Sequence, residues 1–265
     1  MLNEQVSTLS AEVRQAIESF ATALVATLQF QTWEQAHEHL REDSVAQETI
    51  RALQTKQQSL EVLLRLNAVS QEERDELQRL QQQCMAQPSV GAYDRAQADL
   101  VVVCTALANA VSRNIGLDYA GACGVGCGCG PSGADQVSED RWRDTGVSEA
   151  LAVADALGSV LQQAEPLKGY RDARSRLEGD SEASGLLQGF AQALGDMRYE
   201  EANGGASVLT IERARNLQHQ VQHNPIIADY ARWQQAAIAY VRHVNGEMSE
   251  LLGFDFASLS GSGSC

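Results

Sequence analysis

Cys123, Cys127 and Cys129 stand in the stretch Gly-Ala-Cys-Gly-Val-Gly-Cys-Gly-Cys-Gly-Pro-Ser-Gly, residues 121–133. Thiolates bind soft metals. Glycine between them leaves the backbone free to turn several sulfurs toward one point. A cubane iron–sulfur cluster and a tetrahedral zinc site each ask for about four ligands. The hub offers three. A fourth, Cys265, follows the run Ser-Gly-Ser-Gly-Ser, and a subunit mate or a partner protein is the other possible source. Without a metal, the same stretch is a flexible linker with redox-active or idle thiols. Its alternating glycines do not make a phosphate-binding loop, which needs a preceding strand and a following helix. The spacing is one residue short of the CxxxCxxC of radical enzymes, and no βα pattern accompanies it.

Around the hub, the chain reads as helix. Of its 265 residues 44% are apolar but only 5% aromatic, with four prolines. Ala, Leu, Gln, Glu and Arg dominate, and all favour helices. Apolar residues recur at helical spacing from Leu9 through Leu28 and again around Trp33, Ala36 and Leu40. Asp43 is placed to cap a long helix through Leu64, and Asn67 marks a turn. Ser70 and Glu73 have the spacing of a capping box. Pro88 opens a further helix that Gly116 closes. Nothing reads as a strand. The expected fold class is all-α.

The second half repeats the first. A constant shift of 137 positions carries Trp33 to Tyr170, Leu40 to Leu177, Asp43 to Asp180, Pro88 to Pro225, Tyr93 to Tyr230 and Gly116 to Gly253. The expected organisation is two tandem helical bundles of hairpins. They occupy residues 1–120 and 148–259, joined by the Gly/Cys hub and a polar linker at 121–147 and followed by a Gly/Ser tail at 260–265.

The net charge of −15 argues against direct nucleic-acid binding and against an anionic membrane surface. The N-terminus lacks the pattern of a signal peptide and no apolar run reaches a membrane span, so the expected location is cytosolic. In that compartment, clustered cysteines point to thiol or metal chemistry before disulfides.

Each copy resembles the YlbF/YmcA family of small, all-helical bacterial regulatory proteins. In the first copy the resemblance lies in WEQAHEHLREDSVA, QQQCMAQPSVGAYDRAQADL and NIGLDY. In the second it lies in YRDARSRLEGDSEA, QHQVQHNPIIADYARWQQA and LLGFDF. It implies helical hairpins that pair through long helices and a non-enzymatic role. Members of the family act as adaptors in a multi-protein complex that tunes an endoribonuclease and, through it, developmental gene expression. Some of their complexes carry iron–sulfur clusters held by cysteines near the domain ends. The resemblance therefore puts a 4Fe-4S cluster on Cys123, Cys127, Cys129 and Cys265 ahead of zinc. A structural scaffold with a zinc or thiol knot is the competing reading. The tandem arrangement departs from the single-domain members, so either intramolecular pairing of the copies or a homodimer is expected.

The duplication sorts the other candidates. Cys84 and Cys104 correspond to Val221 and Val241 and read as core filler. His37 and His39 point to different sides of a helix. His219 and His223 share a side but correspond to Gln82 and Ala86, ordinary solvent-facing positions. Glu72, Glu73, Asp75 and Glu76 read as a solvated helix face, and Asp118 and Asp255 as terminators after glycine. The aromatics Trp33, Tyr170, Tyr93 and Tyr230 read as core anchors. No carboxylate, histidine and nucleophile combine into a catalytic set.

Overall fold

The computed structural model describes residues 9–65, 69–124 and 145–261. Within them every regular element is a helix. The first repeat contributes α1 (Ala11–Val25), α2 (Leu28–Glu42), α3 (Ser44–Arg65), α4 (Gln71–Met85), α5 (Pro88–Ile115) and the short α6 (Tyr119–Ala122). The second contributes α7 (Val147–Leu161), α8 (Glu165–Gly179), α9 (Ser181–Ala202), α10 (Val208–His223), α11 (Pro225–Leu252) and α12 (Phe256–Gly261), each the counterpart of the helix six places earlier.

Local chemistry sets the helix ends. Asp43 Oδ1 accepts from the Val45 and Ala46 amides at 3.1 and 3.0 Å, and Asp180 Oδ1 accepts from the Ala183 amide at 2.8 Å. These bonds satisfy orphan donors of the first turn. Pro88 and Pro225 occupy the first turns of the two longest helices. Gly116 and Gly253 close those helices with φ of 70° and 76°, a left-handed cap that a side chain resists. Ser70 accepts from the Glu73 amide at 3.2 Å, but the Glu73 carboxylate turns away to Lys56 of α3 instead of returning to the cap. Only half of the capping box forms. Asp118 and Asp255 do more than terminate: each is the N-cap position of the short helix that follows, and Asp255 Oδ1 accepts from the Ser258 amide. The turn at Asn67 lies outside the described residues.

The repeats do not close separate cores. The first helix of each packs on the long helix of the other, α7 on α5 and α1 on α11, and α1 meets α7 at the pseudo-twofold. One buried cluster therefore runs through both copies, joining Ile17, Phe20, Leu24, Leu107 and Val111 to Ala154, Leu157, Leu161, Val244 and Met248. Burial of each such Leu or Ile stabilises by about 1.5–3 kcal/mol. The interleaving is uneven, and side-chain size explains it. The α7 face carries Ala150, Ala154 and Gly158, whereas the equivalent face of α1 carries Val13, Ile17 and Ala21. The smaller stripe lets α7 nest more closely on α5 than α1 nests on α11. A Cβ at Gly158 would stand 2.6 Å from the Cβ of Asn114.

The remaining helices form two hairpins, α3 with α4 and α9 with α10, joined to the shared core chiefly through their own chain neighbours. Small satellite clusters lie at their bases, around Ala46, Cys84 and Val90 and around Leu177, Ala183 and Ile227. Helix α5 is long and apolar enough to cross a membrane by length and composition alone. Here its apolar face is the central seam, with Leu100, Val103, Leu107 and Val111 fully buried.

Candidate functional site

The ends of the two repeats come together. After Gly116 the chain enters α6 and reaches Cys123; after Gly253 it enters α12 and reaches Gly261. Helices α6 and α12 pack on each other, with the rings of Tyr119 and Phe256, themselves counterparts, 5.9 Å apart at 66°. Each end is clasped by the other repeat's long helix. Arg242 Nε of α11 donates to the Ala122 carbonyl at 2.8 Å, and Thr105 Oγ1 of α5, its counterpart, donates to the Ser260 carbonyl at 3.0 Å. A buried polar network backs this junction. The Tyr119 hydroxyl donates to Asn245 Oδ1 at 3.3 Å, as does the Ala257 amide at 3.1 Å, while Asn245 Nδ2 donates to Asp255 Oδ1 at 3.0 Å. Burial drives the Tyr119 hydroxyl well above its ordinary pKa, so it serves here as a neutral donor.

Cys123 is the member of the hub that lies among the described residues; Cys127, Cys129 and Cys265 lie outside them. It caps the C-terminal end of α6, half-buried against the shared core. Burial, together with the charges of Asp255 and Asp118, pushes its thiol up to about 11 against the opposing pull of Arg242. In this setting the thiol holds its proton at neutral pH, and any metal that binds it must displace that proton. An all-sulfur donor set suits a thiophilic centre. Among the described residues no three His, Cys, Asp or Glu side chains converge on a metal position.

The other sequence candidates take structural places. Cys84 and Cys104 are buried, and burial raises the Cys104 thiol to about 12. His219 and His223 are exposed and stack at 4.1 Å, with His223 Nδ1 against the His219 carbonyl, an arrangement that does not aim two ring nitrogens at one point. Tyr170 is buried and pairs with Tyr230 at 5.8 Å. Trp33 is half-buried between Phe30 and Phe254. Of the acidic run on α4, Glu73 and Glu76 grip the half-buried Lys56 across the hairpin, so this face is only partly solvated.

Sequence reasoning missed a groove where the end of α5 meets α8. It has a cavity of about 210 Å³, open to solvent on one side and lined by Ile115, Gly116, Tyr170, Arg171, Arg174 and Glu178, with Ser175 beside them. Arg174 Nη1 donates to the Gly116 carbonyl at 3.2 Å and its Nε to Glu178 at 2.8 Å. Arg171 donates to the side chain and the carbonyl of Gln162 at 3.1 and 3.0 Å. The signal was available in the mismatches between the copies.

The described residues define a duplicated all-α protein whose two repeats interleave into an internal pair. The chain belongs to the YlbF/YmcA family, described as control of competence regulator ComK; the family matches it twice, over residues 13–116 and 151–252. No curated protein and no solved structure matches this chain.

Proposed function

We propose that this protein is a non-enzymatic, cytosolic adaptor of a regulatory complex, acting on competence-type gene expression through protein partners, in keeping with the family's tuning of an endoribonuclease. The observation that carries this reading is the pair of helical hairpins standing off one shared core. The tip of the second exposes three large apolar side chains, Tyr199 at 73%, Val208 at 70% and Leu209 at 78%. Exposed apolar residues concentrated at one tip are a usual mark of an interaction surface. The test is a photo-crosslinker placed at Tyr199 and, separately, at solvent-facing Gln15 of α1. Partner adducts specific to Tyr199 support the adaptor; equal yields from both positions refute it.

The hub is proposed to hold an iron–sulfur cluster through Cys123, Cys127, Cys129 and Cys265. The contact between α6 and α12 supports a shared site, because Cys123 and Gly261, which precede the other cysteines in sequence, stand at the ends of these two helices. Such a cluster would supply redox or iron sensing. The chain's own contribution is to anchor the first ligand: Arg242 fixes the carbonyl beside Cys123, and the network through Tyr119 and Asn245 ties that anchor to α12. Anaerobic purification with visible absorption and analysis for iron, sulfide and zinc decides the matter. Brown protein that loses its colour in C123S supports the cluster, colourless protein with stoichiometric zinc favours the zinc scaffold, and metal-free protein refutes both metal readings.

A further inference from the structure

The +137 shift maps the groove at the end of α5 onto a second position, where the end of α11 meets α2. The two are not alike. At the second position the chain fills the space itself: the Phe254 ring lies 5.7 Å from Trp33 and 6.3 Å from Phe30, and Trp33 in turn lies 5.5 Å from His37. In the groove at α5 the counterparts are smaller or differently charged. Leu117 replaces Phe254, Leu167 replaces Phe30 and Tyr170 replaces Trp33, and the cavity here is lined by Ile115, Gly116 and Tyr170 together with Arg171, Arg174 and Glu178. Glu34 becomes Arg171, His37 becomes Arg174, Glu38 becomes Ser175 and Arg41 becomes Glu178, so the balance of charge on the rim turns from net acidic to net basic. Glu178 offsets part of the Arg174 charge through their ion pair, which leaves Arg171 as the principal cation.

We propose that this groove docks a segment of a partner protein that carries an aromatic side chain flanked by carboxylates. The inference rests on the adaptor reading and specifies its chemistry. The ring takes the place that Phe254 takes in the sister position, on the floor of Ile115 and Tyr170. The carboxylates meet the guanidinium groups of Arg171 and Arg174, each of which has more N–H donors than the two it gives to Gln162, or to Gly116 and Glu178. Charge complementarity with Arg171 and Arg174 selects an acidic segment over a basic one. The occupant is therefore acidic and aromatic.

The experiment uses the full chain and a fluorescein-labelled peptide with a central Phe between two acidic residues on each side, read by anisotropy. Two variants import the sister residue: L117F restores the ring that the sister position carries without changing charge, and R171E reverses the rim. Each is expected to weaken peptide binding by about tenfold or more, as is replacing the peptide Phe with Ala. Lys in place of the acidic residues abolishes binding. Circular dichroism and melting establish that both variants are folded. Failure of the wild-type chain to bind, or equal binding by wild type, L117F and R171E, overturns the proposal. If partner adducts still form at Tyr199 while the peptide result is negative, the groove inference alone has failed. If neither appears, the adaptor reading has failed with it.

Discussion

Replacing Gly158 with Ala tests the interleaved core at its closest point. The added methyl would lie 2.6 Å from Asn114 Cβ, nearer than carbon atoms in contact approach, and Asn114 Cβ is fixed to the α5 backbone. Relief requires α5 and α7 to part, which loosens Leu157 and Leu161, both fully buried in the shared cluster. Overpacking of this kind costs about 1–3 kcal/mol, and the better helix propensity of Ala returns about 1 kcal/mol of it. The net loss is about 0–2 kcal/mol with about 1 kcal/mol as its centre, or a fall in Tm of roughly 2–4 °C at that centre for a chain of this size. Gly185, exposed within α9 with nothing within 4 Å of its would-be Cβ, is the internal control. G185A is expected to raise Tm by roughly 2–3 °C through propensity alone. The assay is thermal unfolding by circular dichroism on both variants, with the melt expected to remain a single transition because both repeats share one core. A G158A protein that gains as much Tm as G185A does would refute the close approach. Two separated transitions in wild type would refute the shared core.

Three further outcomes follow from the titrating and charged groups. Burial holds the Cys104 thiol at about 12, so above about pH 9 the unfolded chain ionises this thiol while the folded chain does not. Wild type then loses about 1.4 kcal/mol per pH unit from this group, and C104V, carrying the sister residue, should show a shallower alkaline decline in denaturant midpoint. At the acid end, burial pushes Asp255 up, but hydrogen bonds from Ser258 and Asn245 and from two backbone amides outweigh it and hold the carboxyl below its ordinary value. Its stabilisation is present above the ordinary carboxylate range and is lost as pH falls through the folded value, so Tm curves of wild type and D255N should differ at neutral pH and converge in acid. Lys56 corresponds to buried Ala193 and Glu73 to Thr210. K56A should lower Tm by stranding Glu73 and Glu76 without their cation, and adding E73T should recover part of the loss.

Helices, caps and duplication were legible because each is written within a few residues of itself. A carboxylate at Asp43, a proline at Pro88 and a glycine at Gly116 act on the nearest turn, and all three do what their positions predict. The sharing of the core was not legible. The periodicity of α1 and α7 says which face is buried but not whether the covering helix belongs to the same repeat. Glu73 shows the same limit on a smaller scale, since its capping role lost to Lys56, a partner 17 residues away. Of the cysteine hub, only the setting of Cys123 is seen. The groove beside α8 was not legible in the matches between the copies, because its character lies in positions such as Arg171 and Arg174, where they disagree.

That disagreement has a consequence for valence. Two identical subunits related by a twofold axis must carry every feature twice, and a change that opens a groove on one side opens it on the other. Here both halves of the pair belong to one polypeptide, and Phe254 seals one position while its twin stays open. The pseudo-symmetric body thus has a front and a back, and a segment that docks in the groove as proposed finds one such position per chain, not two.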